Sequence, residues 1–341
     1  MASASTKTSE TGNTMAAKLI SVTRNYYRPV QRWHISEETG EECTKRDGVS
    51  RPTYCLFLAD DGSYKWVGVN AGVFPGRWSW KAPSYYKRLV FPPFPTGSWN
   101  LGQIRRLENG EVAFTKTLEL PLMGAENAWH PTKIEFTDFE TAVPFDGDCD
   151  ARLWIAKHPH FDGKSVFVKI ALWPSNWSKQ AIENETRAYQ LIDGLDIAPK
   201  FLGHVTYHGA IVGFILELVE GAQTTTKNDE NARIEVVNKL HGLGIIHGTA
   251  HRKNFLKTGN GVIMIGFEDA KFGDEATVRR KQEDIRRICD ENDMTTIVSK
   301  EDDDWVPEVS EFFDALVDDE VSSDDSEAGK AETLSRTTKL E

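Results

Sequence analysis

The strongest constraint in the sequence is an ordered run of apolar segments between residues 150 and 270. Arg152-Leu153-Trp154-Ile155-Ala156-Lys157 and Ser165-Val166-Phe167-Val168-Lys169-Ile170 are strand-like, and Phe161-Asp162-Gly163 between them predicts a hairpin. Apolar spacing over residues 182–191 predicts an amphipathic helix. Two more strand-like runs follow, at 201–205 and 211–220, and then a helix through Ile234, Val237 and Leu240. That helix leads into Gly244-Ile245-Ile246-His247-Gly248-Thr249-Ala250-His251-Arg252-Lys253-Asn254. After a Thr-Gly-Asn-Gly turn comes a second loop-bearing window, Val262-Ile263-Met264-Ile265-Gly266-Phe267-Glu268-Asp269.

This order, with its paired loops, resembles the kinase-like phosphotransferases of the aminoglycoside and choline kinase type. There the two windows read His-Gly-Asp-(x)4-Asn and Ile-Asp-Phe-Glu. The resemblance covers about residues 150–290 and implies an α+β, protein-kinase-like, two-lobed domain. It casts Lys169 as the strand lysine that grips nucleotide phosphates and Glu185, in the helix, as its ion-pair partner. His247 would hold its loop through backbone hydrogen bonds, and Asn254 stays in register five residues after Thr249.

The departures fall on the chemistry. Phosphoryl transfer needs one Asp to orient the attacking hydroxyl, and a second Asp with an Asn to hold Mg2+. Thr249 stands at the first position and Gly266 at the second. A threonine hydroxyl is not a base near pH 7, and glycine has no ligand for a metal that binds oxygen. Glu268 and Asp269 are the candidates for a shifted carboxylate. Lys157-His158-Pro159-His160 replaces a glycine-rich cradle, so backbone amides there are poorly suited to triphosphate oxygens. Ordinary ATP-dependent phosphotransfer is not expected; ATP and Mg2+ enter only under the alternative readings below.

The 341-residue chain carries a formal net charge of −12. Residues 300–341 hold 15 acidic and 4 basic side chains, so the tail carries nearly all of it and residues 1–299 are close to neutral. Such a tail is expected to be solvated and partly disordered. No apolar run of about 18 residues predicts a membrane span, and the N-terminus lacks the apolar stretch of a secretory signal. Cysteines at 43, 55, 149 and 289 fit neither a zinc pattern nor a disulfide framework, so a reduced, cytoplasmic location is expected.

The expected organisation is a disordered 1–18, an aromatic-rich and mostly β region over 19–148, the kinase-like lobes over 149–299, and the tail. Tyr54–Leu58 and Tyr64–Val69 flank Asp60-Asp61-Gly62-Ser63, a hairpin signal. Further strand-like runs lie at 112–115 and 133–136, and Phe91-Pro92-Pro93-Phe94-Pro95 is expected to run extended across a surface. Nine of ten tryptophans precede residue 180, which fits an aromatic core; Trp78, Trp80, Trp99 and Trp129, beside Pro, Gly and basic residues, are candidates for a groove. His158, His160, His204 and His208 lack metal-ligand spacing, and no metal site is expected.

The segments Phe91-Pro92-Pro93-Phe94-Pro95-Thr96-Gly97-Ser98-Trp99-Asn100 and Trp129-His130-Pro131-Thr132, together with the two loops, resemble fungal kinase-like proteins of secondary metabolism. Among these the chain is similar to the arginine-containing cyclodipeptide synthases. The resemblance implies an aminoacyl-tRNA partner, a small-molecule product cyclo-Arg-Xaa, no ATP at the step, and no DNA or membrane partner. Esters that arrive already activated need neither missing aspartate. The family is associated with an Asp-Asp-x-x-Glu motif. Asp303-Asp304 with Glu308 is one residue too long, and Asp60-Asp61 has Tyr64 where Glu would fall. Under the resemblance, Asp303, Asp304 and Glu308 are candidate catalytic residues ahead of a short helix at 309–316. The alternatives are a pseudokinase that binds nucleotide or protein through Lys169, Glu185 and Asn254, and a small-molecule kinase using Glu268 or Asp269.

Overall fold

In the computed structural model the described residues are 14–22, 32–35, 42–45, 53–70, 72–74, 89–144 and 152–289. Trp78, Trp80, Asp303, Asp304, Glu308 and the acidic tail lie outside them. The architecture is α+β, with more strand than helix.

The N-terminal sheet has five strands, β1 (Ala17–Val22), β2 (Thr53–Ala59), β3 (Tyr64–Val69), β4 (Leu101–Arg106) and β5 (Val112–Leu118). They lie in chain order, antiparallel except for the parallel pair β3–β4. β2 and β3 form the expected hairpin, with Tyr54 opposite Gly68 and Leu58 opposite Tyr64. Its core joins Cys55, Phe57, Val67, Val69, Phe94, Trp99 and Ile104. Trp99 is thus buried rather than groove-lining: its indole donates to Pro95 O at 2.9 Å and packs on Phe94 and Phe114. Strand structure also begins earlier than expected. Thr14–Met15 pairs with Phe94–Pro95, Ala17 and Lys18 pair with Ala59 and Leu58, and Met15 packs on the same core, so strand structure over 14–18 comes from long-range pairing.

The second sheet has six strands: β6 (Lys133–Glu135), β7 (Thr141–Pro144), β8 (Leu153–Lys157), β9 (Ser165–Ile170), β10 (Phe201–Tyr207) and β11 (Ala210–Glu217). Their spatial order is β6-β10-β11-β9-β8-β7. The 148–149 boundary read from the sequence therefore does not separate the sheets, because β6 and β7 are the edges of this one. Pro144, which cannot donate to a ladder, sits on the edge strand.

Helix α1 (Asn176–Leu191) follows β9 and starts at Ser175, whose hydroxyl accepts from Ser178 N at 3.2 Å. Ser178, Ala181, Ile182, Glu185, Ala188 and Tyr189 form its buried stripe. Beyond β11 come β12 (Gln223–Thr224), α2 (Glu230–Gly242), β13 (Ile245–Ile246), β14 (Phe255–Thr258), β15 (Gly261–Met264), β16 (Lys271–Phe272) and α3 (Val278–Cys289). A second core of Ile182, Tyr189, Phe201, Phe214, Val237, Leu240, Phe255, Met264 and Phe267 joins α1, the six-stranded sheet, α2 and the paired loops. Among the described residues no helix is long and apolar enough to cross a membrane.

Candidate functional site

Lys169 lies on β9 opposite Phe214 of β11. The strands approach closely there because residue 213 is glycine: a Cβ would fall 2.1 Å from Lys169 O. The Lys169 side chain is nearly buried and ion-paired with Glu185, which is 1% exposed on the apolar stripe of α1. A charge buried this deeply is stable only with partners. Lys169 has a second one in Glu268, whose Oε2 lies 3.1 Å from the ammonium. The same oxygen accepts from Arg152 Nη2 at 2.5 Å. The Arg152 guanidinium in turn lies over the Trp177 ring, 5.1 Å from its centroid.

The electrostatics separate the carboxylates. Burial alone would raise Glu268, but Lys169 and Arg152 beside it hold its carboxyl down to about 2. Burial pushes Glu185 above the usual carboxylate range against the pull of Lys169. Asp269 is also raised, by burial and then by the neighbouring Glu268. Glu268 is thus a fixed anion, while Asp269 is better suited to exchanging a proton.

Both loops are held by backbone hydrogen bonds. Asn184 Nδ2 donates to Glu268 O at 2.8 Å, and Phe267 N donates to Glu185 Oε2 at 3.2 Å. Phe267 is fully buried against Tyr189 and His247. His247 Nε2 lies 3.0 Å from Ile265 O, and its Nδ1 accepts from Thr249 N at 3.3 Å. One neutral tautomer, protonated at Nε2, satisfies both, and burial pushes the imidazole pKa down. The expectation that His247 holds its loop agrees with these bonds.

Asp284 on α3 fixes the first loop from below. Its carboxylate accepts from His247 N at 2.8 Å and Gly248 N at 3.0 Å, and lies 3.1 Å from His241 Nε2. Arg287, one turn on, donates to Gly248 O. Asn254 Nδ2 donates to Thr249 O at 2.7 Å, and its own carbonyl accepts from Ile265 N at 2.9 Å, tying the loops together. Gly266 has φ +78°, and a Cβ there would sit 3.3 Å from Asn254 Oδ1. A side chain at 266 would be strained in its backbone and would press on Asn254.

The sequence-predicted residues Lys169, Glu185 and Glu268 form one cluster, with Asp269, His247 and Asn254 in the adjoining loops. Sequence reasoning missed Arg152, Asn184 and Asp284. Arg152 and Asn184 carry no local signal, one preceding a strand and the other following a glutamate on a helix. Asp284 and Ile288 are the buried positions of α3, four apart, which is the one trace a sequence reading could have used.

Other candidates resolve structurally. His158 Nδ1 accepts from His160 N at 3.1 Å, capping a short turn. His204 Nε2 accepts from His130 N at 3.2 Å, and His208 turns the chain at φ +48°. Trp129 packs on Phe201 of the second core. Asp61 Oδ1 accepts from Ser63 N at 2.9 Å within the β2–β3 turn. Among the described residues no group of three or more His, Cys, Asp and Glu is placed to hold a metal ion. No protein-family model matches the chain, and no curated protein matches it.

Proposed function

We propose that the chain is a non-phosphorylating enzyme on a kinase-like, two-lobed fold, acting as an aminoacyl-tRNA-dependent, arginine-containing cyclodipeptide synthase. The kinase-like reading is supported by the succession hairpin, helix, two strands, helix and paired loops, and by the Lys169–Glu185 ion pair. It is supported further by the anchoring of the His247 loop on Asp284.

One observation carries the departure from phosphotransfer. The two loops are fully tied down, yet Thr249 and Gly266 occupy the carboxylate positions, and Lys169 is engaged by two carboxylates of the protein itself. A site that accepts activated esters needs neither metal-held phosphate nor a hydroxyl-activating Asp. The α-amine of one aminoacyl group attacks the ester carbonyl of the other, and the ribose oxygen of that tRNA leaves with a proton. The free α-amine of the residue whose ester was attacked, now the N-terminus of the dipeptidyl-tRNA, then attacks the remaining ester, which closes the diketopiperazine and releases the other tRNA with a proton on its ribose oxygen. Asp269, with its raised pKa, is suited to carrying those protons. Asp303, Asp304 and Glu308 remain candidates through the resemblance.

The closed ion cluster favours one second reading, a catalytically inactive pseudokinase that binds a protein partner. A small-molecule kinase using Glu268 is disfavoured, because that carboxylate is engaged by Arg152 and Lys169. Expression in a yeast host, followed by comparison of extract masses with empty vector, tests the reaction. A new arginine-containing cyclic dipeptide is expected, formed by purified protein only with charged tRNA and lost on ribonuclease treatment. Mg2+-dependent ADP release that disappears in Asp269→Ala, with no cyclic dipeptide, would overturn the proposal.

A further inference from the structure

Arg233 lies on α2 and is 2% exposed. Its Nη1 donates to Thr226 O at 2.6 Å, and its Nη2 reaches Ile288 O, near the end of α3, at 3.5 Å. Arg252 opens the short turn before β14, and its carbonyl accepts from Thr225 Oγ1 at 3.2 Å. The adjacent residues Thr225 and Thr226 therefore touch both arginines. Burial lowers the pKa of Arg233; Glu230 opposes this, and Arg252 adds to the lowering as a like charge close by. The Nε atoms of both arginines are buried and have no hydrogen-bond partner among the described residues. We infer that Arg233 and Arg252 form a site for a dianionic phosphate group, free or as a terminal monoester, where α2 meets the Arg252–Asn254 turn and the end of α3.

The chemistry of the donors selects the ligand. Buried N–H groups without an acceptor are costly, and two guanidinium groups side by side repel. A guanidinium fork takes anionic oxygens in pairs, and phosphate offers several such oxygens on one centre. A lone carboxylate would neutralise one of the two cations, whereas a dianionic phosphate neutralises both. The nearby acids are engaged elsewhere. Asp229 Oδ1 accepts from Lys257 Nζ at 2.6 Å, and its Oδ2 accepts from Thr226 N and Oγ1 at 2.8 Å. Glu230 hydrogen-bonds the Cys289 thiol. Arg252 is half-buried, which leaves an approach from solvent. The inference rests on residues that the proposed reaction does not use.

The test is isothermal titration of the full-length chain with inorganic phosphate at constant ionic strength, comparing the parent with Arg252→Ala and Arg252→Gln. Saturable binding is expected in the parent, with a melting temperature that rises with phosphate and then levels off. Either variant should bind roughly tenfold more weakly, from the loss of one bidentate donor. The Gln variant decides the matter if the Ala variant does not fold. Glycerol phosphate in place of phosphate distinguishes a monoester from the free ion. Dimethyl phosphate, a singly charged diester, should bind more weakly than either. No saturable binding by the parent would overturn the inference. So would binding unchanged in the Arg252 variants, or dimethyl phosphate bound as tightly as phosphate. Cyclic dipeptide formation is scored separately, so failure of this site and failure of the synthase reading are distinguishable.

Discussion

Asp284 shows how one residue can hold a loop it is not part of. It is 1% exposed and takes the backbone N–H groups of His247 and Gly248 together with the ring of His241. Replacing it with Ala would leave two amides and an imidazole without their acceptor. The expected cost is on the order of 3 kcal/mol, since unsatisfied buried donors carry their full desolvation penalty. Urea unfolding of Asp284→Ala measures it; a loss under about 1 kcal/mol would mean that other groups hold the loop. The sequence hid this role, because Asp284 stands among Arg279, Arg280, Lys281, Glu283, Arg286 and Arg287 and reads as part of a solvated face. Under the kinase-like resemblance Gly266 reads as a position without a ligand, but its positive φ against Asn254 is apparent only in the fold.

At the scale of elements, local pairing was legible and distant pairing was not. The β2–β3 and β8–β9 hairpins and helix α1 follow from alternation, turn residues and 3.6-residue spacing within short windows. β6 is legible as a strand but its sheet is not, because its parallel partner β10 lies far along the chain and no turn announces the pairing. That junction has a consequence for pH. His204 on β10 is fully buried, with Nε2 accepting from His130 N and Nδ1 without a hydrogen-bond partner. Burial lowers its pKa to about 4, against about 6.5 when unfolded. Both states are neutral above pH 6.5, so stability is unaffected there. As pH falls from 6.5 towards 4 the unfolded chain takes up the proton first, and stability falls by on the order of 2 kcal/mol. Buried His247 adds to the fall in the same direction. Denaturant midpoints at pH 7 and pH 4.5 test this, with His204→Gln expected to flatten the slope; a variant as acid-sensitive as the parent would assign the effect elsewhere.

At the scale of the whole molecule, the two sheets are joined by aromatic and hydrogen-bonded contacts. Tyr64 N donates to Tyr207 OH at 2.9 Å, and Trp66 Nε1 donates to Leu172 O at 3.3 Å. Trp173 meets Tyr54 and Trp66 edge-on, each at 4.9 Å between centroids. Such an interface predicts that residues 14–289 unfold in one transition. Trp173→Ala should lower its midpoint by about 5–10 °C, taking roughly 3 kcal/mol for a large aromatic truncation. Two separate calorimetric transitions in the parent would contradict this coupling. By itself the sequence determined the hairpins, the helix and the placing of Lys169 and Glu185, because strand alternation and helical spacing act within a few residues of chain. Only the tertiary structure decided that Glu268 turns onto Arg152 and Lys169, across separations of 116 and 99 residues. It likewise placed Asp284 under a loop 37 residues away. Ion pairs and backbone acceptors of this kind are set by which elements pack together, and that depends on the whole fold.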